Sequence, residues 1–419
     1  MAGSCSLIPR KRRKSDRLCP QVKLDNHIPN HFIIHLSFRY TRKGGEGLGS
    51  EYRWGQGQCF SLTNSLSWEE TWEPCSGRPT TRAHEEWGYC QAGTAAALLP
   101  DSTALMGAPG PHTWRGSVFA VSTASDWLFR DKTHYHSPVV GQDSPVPKYS
   151  YLGMAVAAGA LLPPSRSCGE HLTYAVGAPR ANGTGQVILF SKCHSELLKV
   201  QLVLPGKEFA SQFGYSLTTG DFNSDGMAEL CVGAPWAIGG GAVYCYAATK
   251  DGLRDDTKAL VLHGKGERDG RFGFALCSAG DTDADGFEDL AVGAPYESGG
   301  AVYLYQGSQQ GLRAKPSQVI LASDIPGLPI STLGYSLAGG MDLDTNNHTD
   351  LLVGAYESDA IVILRSRPVI DIFTWFGNKT VRINAGKLGC DMDPTSEEVC
   401  FQVVFVLLMR CFVCNHFYM

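Results

Sequence analysis

Apolar residues in this chain come in short runs separated by turn formers. In the middle of the chain Glu229-Leu-Cys-Val-Gly, Gly241-Ala-Val-Tyr-Cys-Tyr246 and Ala259-Leu-Val-Leu-His263 follow one another, preceded by Tyr215-Ser-Leu. Runs this short, rich in β-branched and aromatic side chains and bounded by Gly, Asp, Asn or Pro, predict strands rather than helices. Four such strands and a break make a small sheet that buries its two faces only against copies of itself.

The unit recurs. An aromatic residue or Leu followed by Gly stands at Trp87-Gly88, Leu152-Gly153, Phe213-Gly214, Phe272-Gly273 and Leu333-Gly334, at spacings of 65, 61, 59 and 61 residues. A second landmark follows each, at Gly107-Ala-Pro109, Gly177-Ala-Pro179, Gly233-Ala-Pro235, Gly293-Ala-Pro295 and, without the proline, Gly354-Ala-Tyr356. Five matched pairs at a near-constant period predict an all-β array of propeller blades. Gly after the aromatic allows close backbone approach, and Pro ends a strand where no ladder donor is needed.

Three units carry an acidic loop between their first and second strands. The loops read Asp221-Phe-Asn-Ser-Asp-Gly-Met-Ala-Glu229, Asp281-Thr-Asp-Ala-Asp-Gly-Phe-Glu-Asp289 and Asp342-Leu-Asp-Thr-Asn-Asn-His-Thr-Asp350. Side-chain oxygens at positions 1, 3, 5 and 9 and a backbone carbonyl at 7 form an oxygen cage suited to Ca²⁺, with Gly or Asn at 6 permitting a left-handed turn. The ligand sets are Asp221, Asn223, Asp225, Met227 and Glu229; Asp281, Asp283, Asp285, Phe287 and Asp289; Asp342, Asp344, Asn346, His348 and Asp350. Position 12, where a helical calcium loop needs Glu, is Val232, Val292 and Val353. Asp, Asn and Gly also enrich ordinary turns, but the same pattern at the same place three times favours calcium in a structural role.

Composition agrees with strands and turns. Charged residues are 18% and glycine is 48 of 419 residues, too little charge for a disordered tail and too much glycine for a helical bundle. A net charge of -5 and a pI near 6.2 give no overall basic field for a phosphate backbone, so nucleic acid is not an expected partner. The run Arg10-Lys11-Arg12-Arg13-Lys14 reads as a solvated segment in preference to a nuclear address. Fourteen cysteines without paired His ligands point to disulfides in an oxidising compartment, and sequons at Asn182, Asn347 and Asn378 point the same way. Residues 1–30 hold no apolar run of the kind a signal peptide needs, and Phe401–Met409 is too short for the ~20 residues that span a bilayer.

The Phe-Gly, acidic loop and Gly-Ala-Pro series resembles the FG-GAP repeats of integrin alpha subunits. Gly57-Gln-Cys59, Trp72-Glu-Pro-Cys-Ser-Gly-Arg78, Gly88-Tyr-Cys-Gln91, Gly107–Gly116, Val176-Gly-Ala-Pro-Arg180 and Arg365-Ser-Arg-Pro-Val-Ile370 are most similar to the laminin-binding subgroup without an inserted domain. The resemblance implies a seven-bladed β-propeller over residues 36–366, incomplete here with about five full blades and part of another, and the start of an immunoglobulin-like thigh β-sandwich over 367–405. Residues 1–35 and 406–419 lack the family's features and read as non-native ends. Among the cysteines, Cys75 with Cys90 and Cys390 with Cys400 are the expected bridges, Cys168 with Cys193 and Cys231 with Cys245 are further possibilities, and the family partner of Cys59 is missing from His31–Tyr40.

The resemblance further implies a cell-surface location as part of a longer type I membrane protein, whose transmembrane helix is missing from this chain. It implies pairing with an integrin beta subunit and binding of an extracellular matrix protein of the laminin kind. Trp87, Tyr151, Phe213, Tyr215, Phe272 and Phe274 are candidates to receive a basic side chain of the beta subunit, although ordinary blade packing is favoured for each taken singly. The stretch Val121–Lys148, with Trp127, Arg130, His134, Tyr135 and His136, corresponds to the region that tunes laminin recognition. FG-GAP propellers also accompany a secreted phospholipase, but no Gly-x-Ser-x-Gly or P-loop pattern is present, so no enzymatic activity is expected. A non-functional truncated product is the remaining alternative.

Overall fold

The computed structural model describes residues 2–3, 22–23, 33–37, 41–44, 52–62, 68–123, 135–141, 143–163, 172–193, 197–249, 252–253, 259–327, 329–373 and 406–413. Between Ala95 and Leu364 the described strands fall into five consecutive antiparallel sheets, apart from the small pairing of Ala248–Thr249 with Gly252–Leu253. The first holds Ala95–Leu98, Thr103–Ala108 and Ser117–Ser122. The second holds Ala155–Gly159, Thr173–Ala178, Gln186–Lys192 and Leu198–Pro205. The third is built from Ser216–Gly220, Glu229–Ala234, Ala242–Tyr246 and Leu260–His263, and the fourth from Ala275–Gly280, Asp289–Ala294, Ala301–Tyr305 and Gln318–Leu321. Leu333–Met341, Asp350–Ala355 and Ala360–Leu364 form the fifth.

Within each sheet the strands meander in chain order, and the first strand of each lies beside the first strand of the next. This is a propeller arrangement, and its apolar clusters sit between blades. One cluster joins Leu105 and Val118 of the first blade to Tyr174 and Ile188 of the second; another joins Leu290 and Tyr303 of the fourth to Val243 and Leu262 of the third. The second strands Thr103–Ala108, Thr173–Ala178, Glu229–Ala234 and Asp289–Ala294 are buried at every position, as a strand covered on both faces must be.

The two sequence landmarks meet at the blade interfaces. A Cβ placed on Gly107, Gly177, Gly233 or Gly293 would lie 2.0 to 2.2 Å from the carbonyl oxygen of Gly153, Gly214, Gly273 or Gly334 of the next blade. The latter four hold φ between 84° and 93°, a left-handed conformation suited to glycine. Here the repeat motif is a backbone-to-backbone contact that any side chain would force open.

This geometry corrects the first landmark. Gly153, Gly214 and Gly273 donate their N–H to Gly177, Gly233 and Gly293 of their own blades, and in the first blade the donor to Gly107 is Gly93 at 2.9 Å. Parallel bridges join Gly116 to Leu152, Gly185 to Phe213, Gly241 to Phe272 and Gly300 to Leu333; the matching bridge joins Gly57 to Ala92. The first blade therefore opens on Ala92-Gly93, 60 residues before Leu152, not on Trp87-Gly88. The side chain at the opening is a fully buried alanine, which a search for a large residue passes over. Trp87 instead packs in the same cluster as Ala92, 5.9 Å from Phe119.

A three-stranded sheet of Ile33–Ser37, Gln58–Leu62 and Trp68–Trp72 precedes the first blade. Cys59 and Trp72 join that blade's cluster. After the fifth blade Ser366–Phe373 pairs antiparallel with Val406–Val413, so residues divided in the sequence between a thigh-like segment and a tail share one hairpin. Residues 374–405 lie outside the described residues. Ala2–Gly3 pairs with Val22–Lys23, against the inner strands of the fifth and first blades. Among the described residues no helix is long and apolar enough to cross a membrane.

Cys75 is bonded to Cys90, and Cys231 to Cys245. The second bridge spans directly opposed residues of neighbouring strands. Cys193 is disulfide-bonded; Cys168, Cys390 and Cys400 lie outside the described residues. Cys59 is free and buried, and burial pushes its thiol far up; Cys277 is buried as well.

Candidate functional site

The three acidic loops adopt one backbone conformation. Position 6 is left-handed in each, with φ 84° at Gly226, 90° at Gly286 and 65° at Asn347, and so is position 4, with φ 55° at Ser224, 57° at Ala284 and 61° at Thr345. The position 1 carboxylate takes the two N–H groups of positions 5 and 6: Asp221 from Asp225 and Gly226 at 3.1 and 2.9 Å, Asp281 from Asp285 and Gly286 at 3.1 and 2.9 Å, and Asp342 from Asn346 and Asn347 at 3.1 and 2.8 Å. The position 7 N–H of Met227, Phe287 and His348 donates to the position 5 oxygen of Asp225, Asp285 and Asn346.

Position 9 is a buried anchor. Glu229 accepts the N–H of Phe222 at 2.8 Å and the amide of Asn223 at 2.9 Å. Asp289 accepts from the Thr282 backbone, the Thr282 hydroxyl and the Gly307 N–H. Asp350 takes the N–H of Leu343 at 2.8 Å and that of Ser366 at 2.9 Å, while the Asn346 amide donates to the Ser366 carbonyl at 2.7 Å. Loop closure thus draws on carboxylates that the sequence pattern assigns only to an ion.

The residues present fit a hard divalent cation. Carboxylate oxygens of Asp281, Asp283 and Asp285 lie within 4.8 Å of one another, as do those of Asp342, Asp344 and Asp350. Buried Oδ1 atoms of Asp283 and Asp344 have no hydrogen-bond partner, an arrangement that is costly without a positive ligand. Burial, followed by the charges of Asp289, Asp285 and Asp281, pushes Asp283 up to about 7. Burial likewise lifts Asp289 to about 6, and burial with Asp221 and Asp225 nearby lifts Glu229 to about 7; Asp350 shifts up for the same reason. In the first loop the Asn223 amide spans Asp225 and Glu229. The loop tips of adjacent blades touch, the Ser224 hydroxyl donating to the Gly286 carbonyl at 2.6 Å.

Because these loops join first to second strands, they lie at the opposite end of each sheet from the turns that follow Gly-Ala-Pro. That other end carries a row of aromatic rings. Tyr215 contacts Trp236 and Phe274, each at 5.0 Å; Phe274 contacts Tyr335 at 4.8 Å and Tyr296 at 6.4 Å; Tyr335 stacks on Tyr356 at 4.9 Å. Arg271 lies over Trp236 at 4.8 Å.

Of the aromatic candidates, Tyr215, Phe274 and Tyr151 are half-buried at this end, Tyr151 beneath Arg180 at 5.5 Å. Trp87, Phe213 and Phe272 are buried. Phe213 meets Tyr244 and Phe272 meets Tyr303 inside the blades, so these three serve packing and offer no ring to the surface. Trp236, Tyr296, Tyr335 and Tyr356 were not among the candidates. Their signal is positional: the residue after Gly-Ala-Pro, or after its Gly-Ala remnant, and the residue directly after the opening landmark, as Tyr335 follows Leu333-Gly334.

Trp127, Arg130 and His134 lie outside the described residues. Tyr135 packs edge-on against Phe119 at 6.1 Å, and His136 exchanges backbone hydrogen bonds with Ala120, both 2.9 Å, extending the first blade. Asn182 and Asn347 are exposed in left-handed turns; Asn378 lies outside the described residues.

The FG-GAP repeat family matches residues 213–246 and 272–305, the two blades with the first two acidic loops. The chain is 39% identical over 354 residues to integrin alpha-7 of Rattus norvegicus, covering 81% of this chain and 30% of that protein. It is 34% identical over 399 residues to integrin alpha-6 of Gallus gallus, 91% of this chain and 35% of the relative, and 35% identical over 365 residues to integrin alpha-3 of Cricetulus griseus, 84% and 33%. This chain is a homologue of the integrin alpha subunits. It spans about a third of the length of these relatives. The integrin alpha homology accounts for the propeller, the glycine pairs and the acidic loops together, and leaves the phospholipase-like alternative without support.

Proposed function

We propose that this chain forms the propeller of a cell-surface adhesion receptor, pairing through its aromatic end with an integrin beta subunit and holding structural calcium at its other end. The observation that carries the reading is the aromatic row from Tyr215 to Tyr356, half-buried at Tyr215, Trp236, Phe274 and Tyr335 and exposed at Tyr296 and Tyr356, joined to homology with alpha subunits. Rings that present partly exposed faces attract a cationic side chain by cation–π contact, and aromatic residues dominate interface anchors. In the calcium loops Asp281, Asp283 and Asp285 would supply side-chain oxygens, Phe287 its carbonyl and Asp289 the anchor, with Asp342, Asp344, Asn346, His348 and Asp350, and Asp221, Asn223, Asp225, Met227 and Glu229, in the same roles. The ion would neutralise carboxylates that otherwise repel one another.

Resemblance to the laminin-binding subgroup suggests a laminin-like matrix ligand, tuned by residues 121–148. The test is to co-express the full-length chain with beta subunits and recover the pair from the cell surface. Replacing Phe274 and Tyr335 together with alanine should lower recovery of the partner while calcium-dependent melting persists. Unchanged pairing would overturn the docking assignment. Exchanging residues 121–148 with those of a related alpha chain should move ligand preference, and an unmoved preference would remove the laminin assignment.

A further inference from the structure

We propose that Asn182 carries an N-linked glycan whose first sugar rests on the ring of Phe209, at the aromatic end of the propeller between the second and third blades. The inference rests on the extracellular placement proposed above.

Phe209 is 80% exposed and Ile238 is 85% exposed, more than any other large apolar side chain among the described residues. Neither belongs to the aromatic row. Phe209 is nonetheless held in place: the Ala210 N–H donates to the Gly183 carbonyl at 2.7 Å, the Ser211 hydroxyl donates to the Thr184 carbonyl at 3.2 Å, and the Ile238 N–H donates to Glu208 at 2.6 Å. A phenylalanine whose neighbours on both sides are tied down by hydrogen bonds holds its exposed ring beside that segment.

The segment it is tied to is the sequon Asn182-Gly-Thr184. A Cβ on Gly183 would lie 2.8 Å from Phe209 Cε2, so the ring lies directly against the sequon's backbone and glycine is what permits it. Asn182 is exposed in a left-handed turn at φ 52°, and among the described residues nothing bonds its carboxamide. The apolar C–H face of a pyranose is complementary to the negative face of an aromatic ring. Asn347, by contrast, sits at position 6 of the third acidic loop, with its N–H held by Asp342.

In the modification the Asn182 carboxamide nitrogen bonds to the anomeric carbon of an oligosaccharide carried on a lipid diphosphate. The bond from that carbon to the diphosphate oxygen breaks, the lipid diphosphate leaves, and the amide proton passes to a base of the transferring enzyme.

The test uses the full-length chain secreted through mammalian cells with its beta partner. Peptide mass spectrometry should find Asn182 occupied, and Asn182→Gln should remove one glycan. Enzymatic release of that glycan from the folded protein should be severalfold faster in Phe209→Ala than in wild type, and slow again in Phe209→Tyr. An unmodified Asn182 beside an occupied Asn347 overturns the proposal and leaves the extracellular reading standing. Neither site occupied in an intracellular chain overturns both. Equal release rates in all three proteins remove the stacking.

Discussion

Gly233 and Gly273 touch backbone to backbone: a Cβ on Gly233 would stand 2.2 Å from the Gly273 carbonyl oxygen and 2.1 Å from the Ser216 hydroxyl. The blades on either side cannot separate without opening the apolar cluster between them. Gly233→Ala should therefore destabilise the propeller by about 2 kcal/mol or more, the scale of an overpacked core. Chemical denaturation checks it, and a variant as stable as wild type would mean that the interface yields more easily than close packing allows.

Asp285→Ala removes a carboxylate that caps Phe287 and faces Asp281 and Asp283. Calcium at roughly a hundred times its Kd stabilises a one-site protein by about 2.7 kcal/mol. The rise in melting temperature on adding calcium should shrink in this variant and in Asp344→Ala, with delivery to the cell surface reduced. A calcium-dependent rise equal to wild type in both would remove the assignment of these loops.

Acidity should act differently on the metal-free and calcium-loaded protein. Glu229, Asp283 and Asp289 are pushed up to about 7, 7 and 6, above their unfolded values. Stability linked to such groups is complete below the unfolded pKa and is lost as pH rises through the folded one. Metal-free protein should melt at a higher temperature near about pH 5.5 than near about pH 7.5. With calcium saturating, protons compete for the ligands and the trend should flatten or reverse. Parallel pH profiles with and without calcium would refute the linkage.

Cys59 stands opposite Leu36 in the pairing of Gln58–Leu62 with Ile33–Ser37, as Cys231 stands opposite Cys245. Opposed residues of antiparallel strands have Cα separations of about 4.5–5.5 Å, within the range a disulfide bridges. Leu36→Cys should therefore consume the buried Cys59 thiol and raise stability by about 2–4 kcal/mol. Thiol titration of the denatured, unreduced protein is decisive: one thiol fewer than wild type marks the bridge, and one more would show that the register does not support it.

The blades were legible because their period is a packing requirement: one glycine must meet the next blade every 59 to 61 residues, as from Phe213 to Phe272 and on to Leu333. The acidic loops were legible for a similar reason, since oxygen ligands leave their spacing in the sequence. Trp87 misled because a large residue beside glycine imitated the landmark, while the true opening at Ala92 has only its backbone in common with the others. The aromatic row was partly hidden because its rings come together only in the folded sheets, within a blade as Tyr335 meets Tyr356 and across blades as Phe274 meets Tyr335. Position 9 seemed one ligand among five, and only the folded loop shows Asp289 and Asp350 spending their oxygens on backbone N–H groups.

Ser366 is gripped on both sides of its Cα by the third acidic loop, its N–H by Asp350 and its carbonyl by Asn346. Ser366 opens the strand by which the chain leaves the last blade. The direction of departure is therefore set by two residues of the loop and not by a free linker. Tension arriving from the downstream chain would be borne first at this clasp, before any blade is strained, and its stiffness would vary with whatever tightens the loop around Asp342, Asp344 and Asp350.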